Sequence, residues 1–242
     1  MITESDYLNI ITEKGIYPNK KNLKLHLANT FSKIDFKNKK VLDIGGGAGV
    51  HSFYAAVKGA AKVDCLEPEF DGSHEGMKKN FTELQDILGV TNVELHSVTF
   101  QDYETKILDY DLILTYNVVN HLDEEACQTL QSSQDSRDRF VQMFMKCSSM
   151  LKQGGMMLVA DCGRRNLFGD LGIYNPFAND IDWKIHQEPK FWLNLMEKAG
   201  FERLNANWST FNSLGRIGKL LFGNRLFSYL TFSHFYFWTI KR

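Results

Sequence analysis

The chain has 242 residues, enough for one large α/β domain or for one domain with a small cap. Its hydrophobic content is ordinary for a globular protein, and a net charge of −1 provides no general attraction to nucleic acid. Cys65, Cys127, Cys147 and Cys162 lie far apart with no Cys-x-x-Cys spacing, which speaks against a disulfide framework or a zinc site. Reduced thiols, the absence of a signal-peptide pattern at Met1 to Asp6, and no apolar run near the roughly 18 residues of a membrane span lead to the expectation of a cytoplasmic protein without a bound metal.

In chain order, Leu23, Leu27, Phe31 and Ile34 share one helical face over 21–34. Lys37 to Lys40 reads as a solvated basic turn, and Val41 to Ile44 as the first strand. That strand runs into Asp43-Ile44-Gly45-Gly46-Gly47-Ala48-Gly49. A dinucleotide fingerprint needs Gly-x-Gly-x-x-Gly or Ala. Counting from Gly45 and Gly47 puts Val50 at the third small position, and counting from Gly46 puts Ala48 and His51 at the second and third, so neither phase fits. The helix that follows carries Val50, Phe53, Tyr54 and Val57, with Gly59 as its stop. Lys62 to Glu67 reads as the second strand. Ser73 is a candidate cap for a helix with a Met77, Phe81, Leu84 and Leu88 stripe ending at Gly89. Val93 to Val98 and Asp111 to Tyr116 read as strands three and four, the latter apolar enough for burial on both faces.

The polar stretch from Asp123 to Arg139 reads as an exposed insertion leading into a helix with Phe140, Phe144 and Met150. Gly154-Gly155 then turns into a fifth strand, Met156 to Asp161. The alternation of strands and helices implies right-handed βαβ units. It breaks at Cys162, and residues 163–187 are irregular. Pro189 opens a helix that Gly200 ends, and Phe201 to Ser209 and His234 to Lys241 read as the last strands. Between them, Leu214 to Arg225 mixes apolar and basic residues, and its Gly215, Gly218 and Gly223 weigh against a helix.

Asp43, Gly45, Gly47 and Gly49 resemble the first motif of the class I S-adenosylmethionine (SAM) dependent methyltransferases. Leu151-Lys-Gln-Gly-Gly, Asn117-Val-Val-Asn-His-Leu and Glu197-Lys-Ala-Gly-Phe resemble later landmarks of that family, from about residue 20 to the end. The resemblance implies a doubly wound α/β fold. Its mostly parallel, Rossmann-like sheet of seven strands would have the last strand antiparallel between strands five and six. A small cap would cover the carboxyl ends of the strands. In domain terms this means an N-terminal helical or lid segment over 1–36 and a methyltransferase domain over 37–242, with a cap near 163–187 and a lid near 211–232. SAM would be the donor and S-adenosylhomocysteine the product. The residues expected at the donor are Asp43, Gly45, Gly46, Gly47, Gly49, Glu67, Pro68, Thr99, Phe100 and Asn117. Glu67 suits a ribose diol because a carboxylate accepts two hydrogen bonds, and Pro68 can wall one face of adenine. Family members often place an acid just past strand three; here Thr99 and Phe100 stand there, with Asp102 slightly later. The structural alternatives are that Asp43 caps the turn, Glu67 is a solvated strand end, and Asn117 is a turn former.

The implied reaction is in-line methyl transfer, in which positioning supplies much of the acceleration. A hydroxyl acceptor needs a base, and His186 is the first choice, with His121 second and Asp161 as partner or substrate ligand. Each histidine also has a purely structural reading. Arg164 and Arg165 are candidates for clamping an anionic acceptor, with Tyr174 nearby in sequence; the alternative is an exposed basic turn. The expected acceptor is therefore a small molecule, anionic or linked to a sugar or lipid, methylated at oxygen. The aromatic and basic C-terminal part reads as a soluble lid or as a membrane-surface segment. A nucleic-acid base methyltransferase is disfavoured because strand four exits into Asn117-Val-Val-Asn and not into a Pro-Pro-aromatic motif. A non-catalytic SAM-binding subunit acting through a protein partner is the other alternative, and Val50 disfavours a nicotinamide enzyme.

Overall fold

A computed structural model describes residues 2–69, 76–178, 181–202 and 204–242. The chain divides into two compact units, Met1–Thr115 and Tyr116–Arg242. In the first, α1 (Glu4–Glu13) starts at a reciprocal capping box between Thr3 and Asp6, and α2 (Lys20–Thr30) starts at Asn19. Then come β1 (Lys40–Ile44), α3 (Val50–Val57), β2 (Lys62–Leu66), α4 (Met77–Leu88), β3 (Val93–His96) and β4 (Tyr110–Tyr116). β1 lies between β2 and β4, and β3 flanks β2, all parallel, with Asp43 opposite Cys65 and Leu114.

The second unit contains α5 (Glu124–Thr129), α6 (Gln134–Met150), β5 (Leu151–Cys162), α7 (Leu167–Leu171), α8 (Pro189–Lys198), β6 (Asn207–Trp208), α9 (Gly215–Phe222), α10 (Arg225–Tyr229) and β7 (His234–Ile240). β7 runs antiparallel to both β5 and β6, with Val159 opposite Phe237. The strand order β3-β2-β1-β4-β5-β7-β6 is the expected Rossmann-like sheet with its last strand inserted antiparallel. Trp192 of α8 is fully buried and packs on Phe140 and Phe144 of α6, at ring separations of 5.1 and 6.1 Å.

Several elements differ from the sequence expectation. Residues 123–139 are not an exposed insertion. Asp123 accepts from the Ala126 amide and Ser133 from the Ser136 amide, which starts α5 and α6 and buries Ala126, Cys127 and Leu130. Gly154 and Gly155 lie inside β5, because Gly154 N–H donates to Lys241 and Lys241 N–H to Gly155. The sixth strand shrinks to two residues. Among the described residues Phe201 makes a lone bridge to Lys241, and pairing with β7 resumes at Asn207. The 214–225 segment is helical despite its glycines, since Gly215 opens α9 and Gly223 follows its end, leaving Gly218 as the interior one. The proposed cap at Ser73 lies outside the described residues.

Phe237 is fully buried at the centre of β7. Phe237→Ala should cost about 3–5 kcal/mol of unfolding free energy, read from the midpoint of urea denaturation.

Candidate active site

The turn after β1 in the first unit is shaped by what glycine permits. Gly45, Gly47 and Gly49 have φ of 66°, 56° and 81°, in the left-handed region where a side chain is strained. Gly46 is set by proximity: a Cβ there would lie 2.4 Å from Cys65 Sγ and 2.9 Å from Asp43 Oδ2. A Cβ on Gly49 would meet the Phe53 and Phe81 rings at 2.7 Å. The amides of Gly45 and Gly46 both donate to the Leu66 carbonyl at the end of β2, which draws the loop onto that strand. The alternating glycines therefore do structural work that no larger residue could do.

Two buried carboxylates flank the loop. Asp43, 1% exposed, accepts from Ser52 Oγ at 2.7 Å, and burial pushes its carboxyl up to about 7. Glu67, also buried, accepts from the Gly47 amide at 2.8 Å and the Glu69 amide at 2.9 Å. Pro68, half-buried, follows directly. Past β3, the Thr99 hydroxyl donates to Asp102 Oδ2 at 2.6 Å, closing a small turn, and Phe100 is buried. α1 and α2 hold the start of α3: Tyr7 donates to the Val50 carbonyl, and His26 and His51 share a hydrogen bond of 3.0 Å. Burial pushes those two histidines down to about 4 and about 3, so both are neutral at pH 7. Bare, positive-φ glycines beside a buried carboxylate fit a ligand that needs close backbone approach.

In the second unit, His186 and Asp161 meet. Asp161 sits near the carboxyl end of β5, 1% exposed, and its Oδ1 accepts from His186 Nδ1 at 2.9 Å and from the Cys162 amide at 2.7 Å. Asp161 Oδ2 is buried with no hydrogen-bond partner among the described residues. His121 is elsewhere engaged, its Nδ1 2.5 Å from Glu124 Oε1 one turn along. Asn117 takes a positive φ of 56° at the exit of β4, and its Oδ1 lies 2.9 Å from His234 Nε2.

The two arginines do not converge on one point. Arg164 donates to the Lys184 carbonyl, whereas Arg165 forms an ion pair with Asp170 at 2.7 Å, an acid that also accepts from Tyr229. Tyr174 is exposed. Arg165 instead lines a cavity of about 420 Å³ with Glu188, Trp208, Arg225 and Tyr229. The sequence reading missed Ser52, nine residues from Asp43, and Glu188, whose partners Arg165 and Arg225 are distant in sequence. It also passed over Asn120, which is fully buried with both amide atoms unpartnered among the described residues. Such a group costs about 1–3 kcal/mol unless something pairs with it. Only its place in the Asn-Val-Val-Asn run hinted at a role.

Other clusters are satisfied internally. Asp64, Glu94 and His96 come together, but Lys62 bridges the two acids and Tyr110 donates to Asp64. All four cysteines are buried thiols, and burial raises them away from the thiolate form.

A profile of the family described as "Methyltransferase domain" matches residues 35–200. Among solved structures, a SAM-dependent methyltransferase from Mesorhizobium loti is similar at a TM-score of 0.61 and 13% identity, covering 90% of this chain and 100% of that one. A SAM-dependent methyltransferase from Aquifex aeolicus gives a TM-score of 0.57 at 14% identity, with 91% and 89% covered. The [4+2]-cyclase SpnF gives 0.60 at 13%, with 93% and 81% covered. At these identities the structures speak for the fold alone, since one fold hosts different reactions.

Two expectations test the loop. Gly46→Ala should weaken S-adenosylhomocysteine binding at least about tenfold by calorimetry, because the new Cβ must displace Cys65 or Asp43. Asp43 holds its proton in the native state up to about pH 7, while the unfolded chain loses it near 4. Its contribution thus favours the native state below pH 4 and is lost as the pH rises to 7. Asp43→Asn carries no such charge, so its Tm relative to the parent protein should climb between pH 5 and pH 8. A difference that is flat with pH would refute the assignment.

Proposed function

The chain belongs to the methyltransferase-domain family, with SAM as its methyl donor, and on that premise we propose that it methylates an oxygen of a small anionic acceptor with His186 as general base. The observation that carries this reading is the 2.9 Å hydrogen bond from His186 Nδ1 to the buried Asp161 carboxylate near the end of β5. In open α/β sheets, ligands bind beyond the carboxyl ends of the strands.

When bound, SAM supplies a methyl group already activated by its sulfonium, so no protein nucleophile is needed. We assign its binding to the loop Gly45, Gly46, Gly47 and Gly49, supported from beneath by Asp43. Glu67 is assigned to the ribose hydroxyls, with Pro68, Thr99 and Phe100 at the adenine and Asn117 at the methionine end. The part left to the protein is the acceptor proton. Nδ1–H is committed to Asp161, which fixes the tautomer that carries its lone pair on Nε2. Nε2 would then take the hydroxyl proton as the oxygen–carbon bond forms, the carbon–sulfur bond breaking to leave the neutral thioether. The Asp161 carboxylate stabilises the imidazolium produced. His121, already bound to Glu124, is the less suitable base.

The anionic character of the acceptor is inferred from Arg164 and Arg165, which leave β5 within four residues of Asp161. Arg165 already holds a carboxylate through its Nε and Nη2 atoms, the geometry a substrate carboxylate or phosphate would use. In this reading residues 37–242 form the catalytic domain, 1–36 a closing segment, 163–187 the cap that brings His186, and 211–232 a lid.

The test is turnover with SAM and the small-molecule fraction of a cell extract, following a single added methyl by mass spectrometry. His186→Gln should lower turnover by about 10²- to 10⁴-fold and remove the acidic limb of the pH profile, with S-adenosylhomocysteine affinity unchanged. Turnover within a few-fold of the parent protein, with the same pH profile, would overturn the role of His186.

A further inference from the structure

The amphipathic pattern of α9 is turned inside out. A surface helix of a globular protein normally sets its apolar stripe against the core. In α9, Gly218 is buried, and Lys219 reaches the Tyr236 hydroxyl at 3.1 Å with its ammonium 5.6 Å from the ring centre. The apolar residues face outward: Ile217 is 75% exposed, Leu220 85% and Leu221 59%. Leu214, one turn earlier, and Leu226 of α10, at 69%, are exposed as well. Contiguous exposed apolar residues of this kind mark a surface that meets something.

The charge around them narrows what that is. Residues 203–242 contain six Lys and Arg and no Asp or Glu, in a chain whose net charge is −1. Arg216 and Arg225 are exposed beside the leucines. Leucine and isoleucine interleaved with Arg216 and with Arg225, which sits 3.8 Å from Glu188, complement an anionic lipid surface: the side chains enter the acyl boundary while the cations meet headgroups. The same composition works against a second copy of this face, which would bring cation against cation. Leu226 belongs both to this exposed surface and to the cavity lined by Arg165, Trp208, Arg225 and Tyr229. Trp and Tyr at that position suit the headgroup layer.

We propose that α9 and α10 form a docking face for an anionic lipid bilayer, peripheral and reversible. Among the described residues no helix is long and apolar enough to cross a membrane. The inference deepens the proposed function and rests on that reading only in one respect: it places the anionic acceptor at a bilayer surface.

The test is flotation of the full chain with vesicles of phosphatidylcholine alone or with phosphatidylglycerol added. The protein should float with the anionic vesicles at low salt, stay behind with the neutral ones, and be released as salt rises. The double variant Ile217→Glu, Leu220→Glu should reduce the bound fraction at least about tenfold, and Arg216→Glu, Arg225→Glu should reduce it as well. Calorimetry with S-adenosylhomocysteine on the same variants shows that they are folded. No flotation of the parent protein with anionic vesicles would overturn the docking face, as would equal flotation of the leucine-face variant. A parent protein that forms a stable dimer which that variant dissolves would assign the face to self-association and overturn it too. Loss of S-adenosylhomocysteine binding in the parent protein would instead count against the methyl-transfer reading, and the flotation result would stand by itself.

Discussion

The first unit of this protein depends on how closely one loop approaches one strand. The amides of Gly45 and Gly46 converge on the Leu66 carbonyl, and Gly46 lies so near Cys65 and Asp43 that no Cβ fits. That approach puts the Gly47 amide on Glu67 and fixes the carboxylate beside the loop. It also buries Asp43 beneath the loop, where Ser52 partly offsets the desolvation that raises its carboxyl. The loop, the two acids and the start of α3 are thus one unit. The N-terminal helices brace it through Tyr7 and the His26–His51 pair.

The second unit solves a different problem, that of holding an imidazole in one tautomer. Asp161 ends a regular strand, whereas His186 comes from irregular chain and is brought to it by the turn over Trp183–Ile185 and by Cys127, whose thiol donates to the Ile185 carbonyl. Gln187 adds a bond from its amide to the Cys127 carbonyl. The pair thus joins a regular strand to an irregular segment of the same unit.

The C-terminal forty residues combine two demands. β7 supplies core through Phe235 and Phe237, fully buried between its neighbours, while α9 and α10 just before it present leucines outward. This stretch brings no acid of its own, so Arg216 and Arg225 are its charges on the outer face, with Glu188 beside Arg225. The fold and the docking face are written in the same segment with opposite polarity of burial.

The order of strands, the glycine turn and the dyad members were legible from the sequence. The turn and the dyad members rest on glycine phase and residues at strand ends, whereas the place of the last strand came from the resemblance to the family. Asp123 and Ser133 were legible in principle as caps, but the polar composition of 123–139 masked the burial of Ala126, Cys127 and Leu130, which tertiary packing alone decides. Glycine content spoke against α9, yet Gly215 and Gly223 fall at its ends, where glycine is tolerated. That Arg165 would spend its guanidinium on Asp170, that Arg225 would line the cavity with it, and that Ile217 and Leu220 would point to solvent are long-range outcomes. The sequence by itself determined the family and the glycine turn after β1, because those follow from residue type and spacing. Only the tertiary structure decided which polar atoms are already satisfied and which apolar face is left uncovered, because both depend on what distant segments bring into contact.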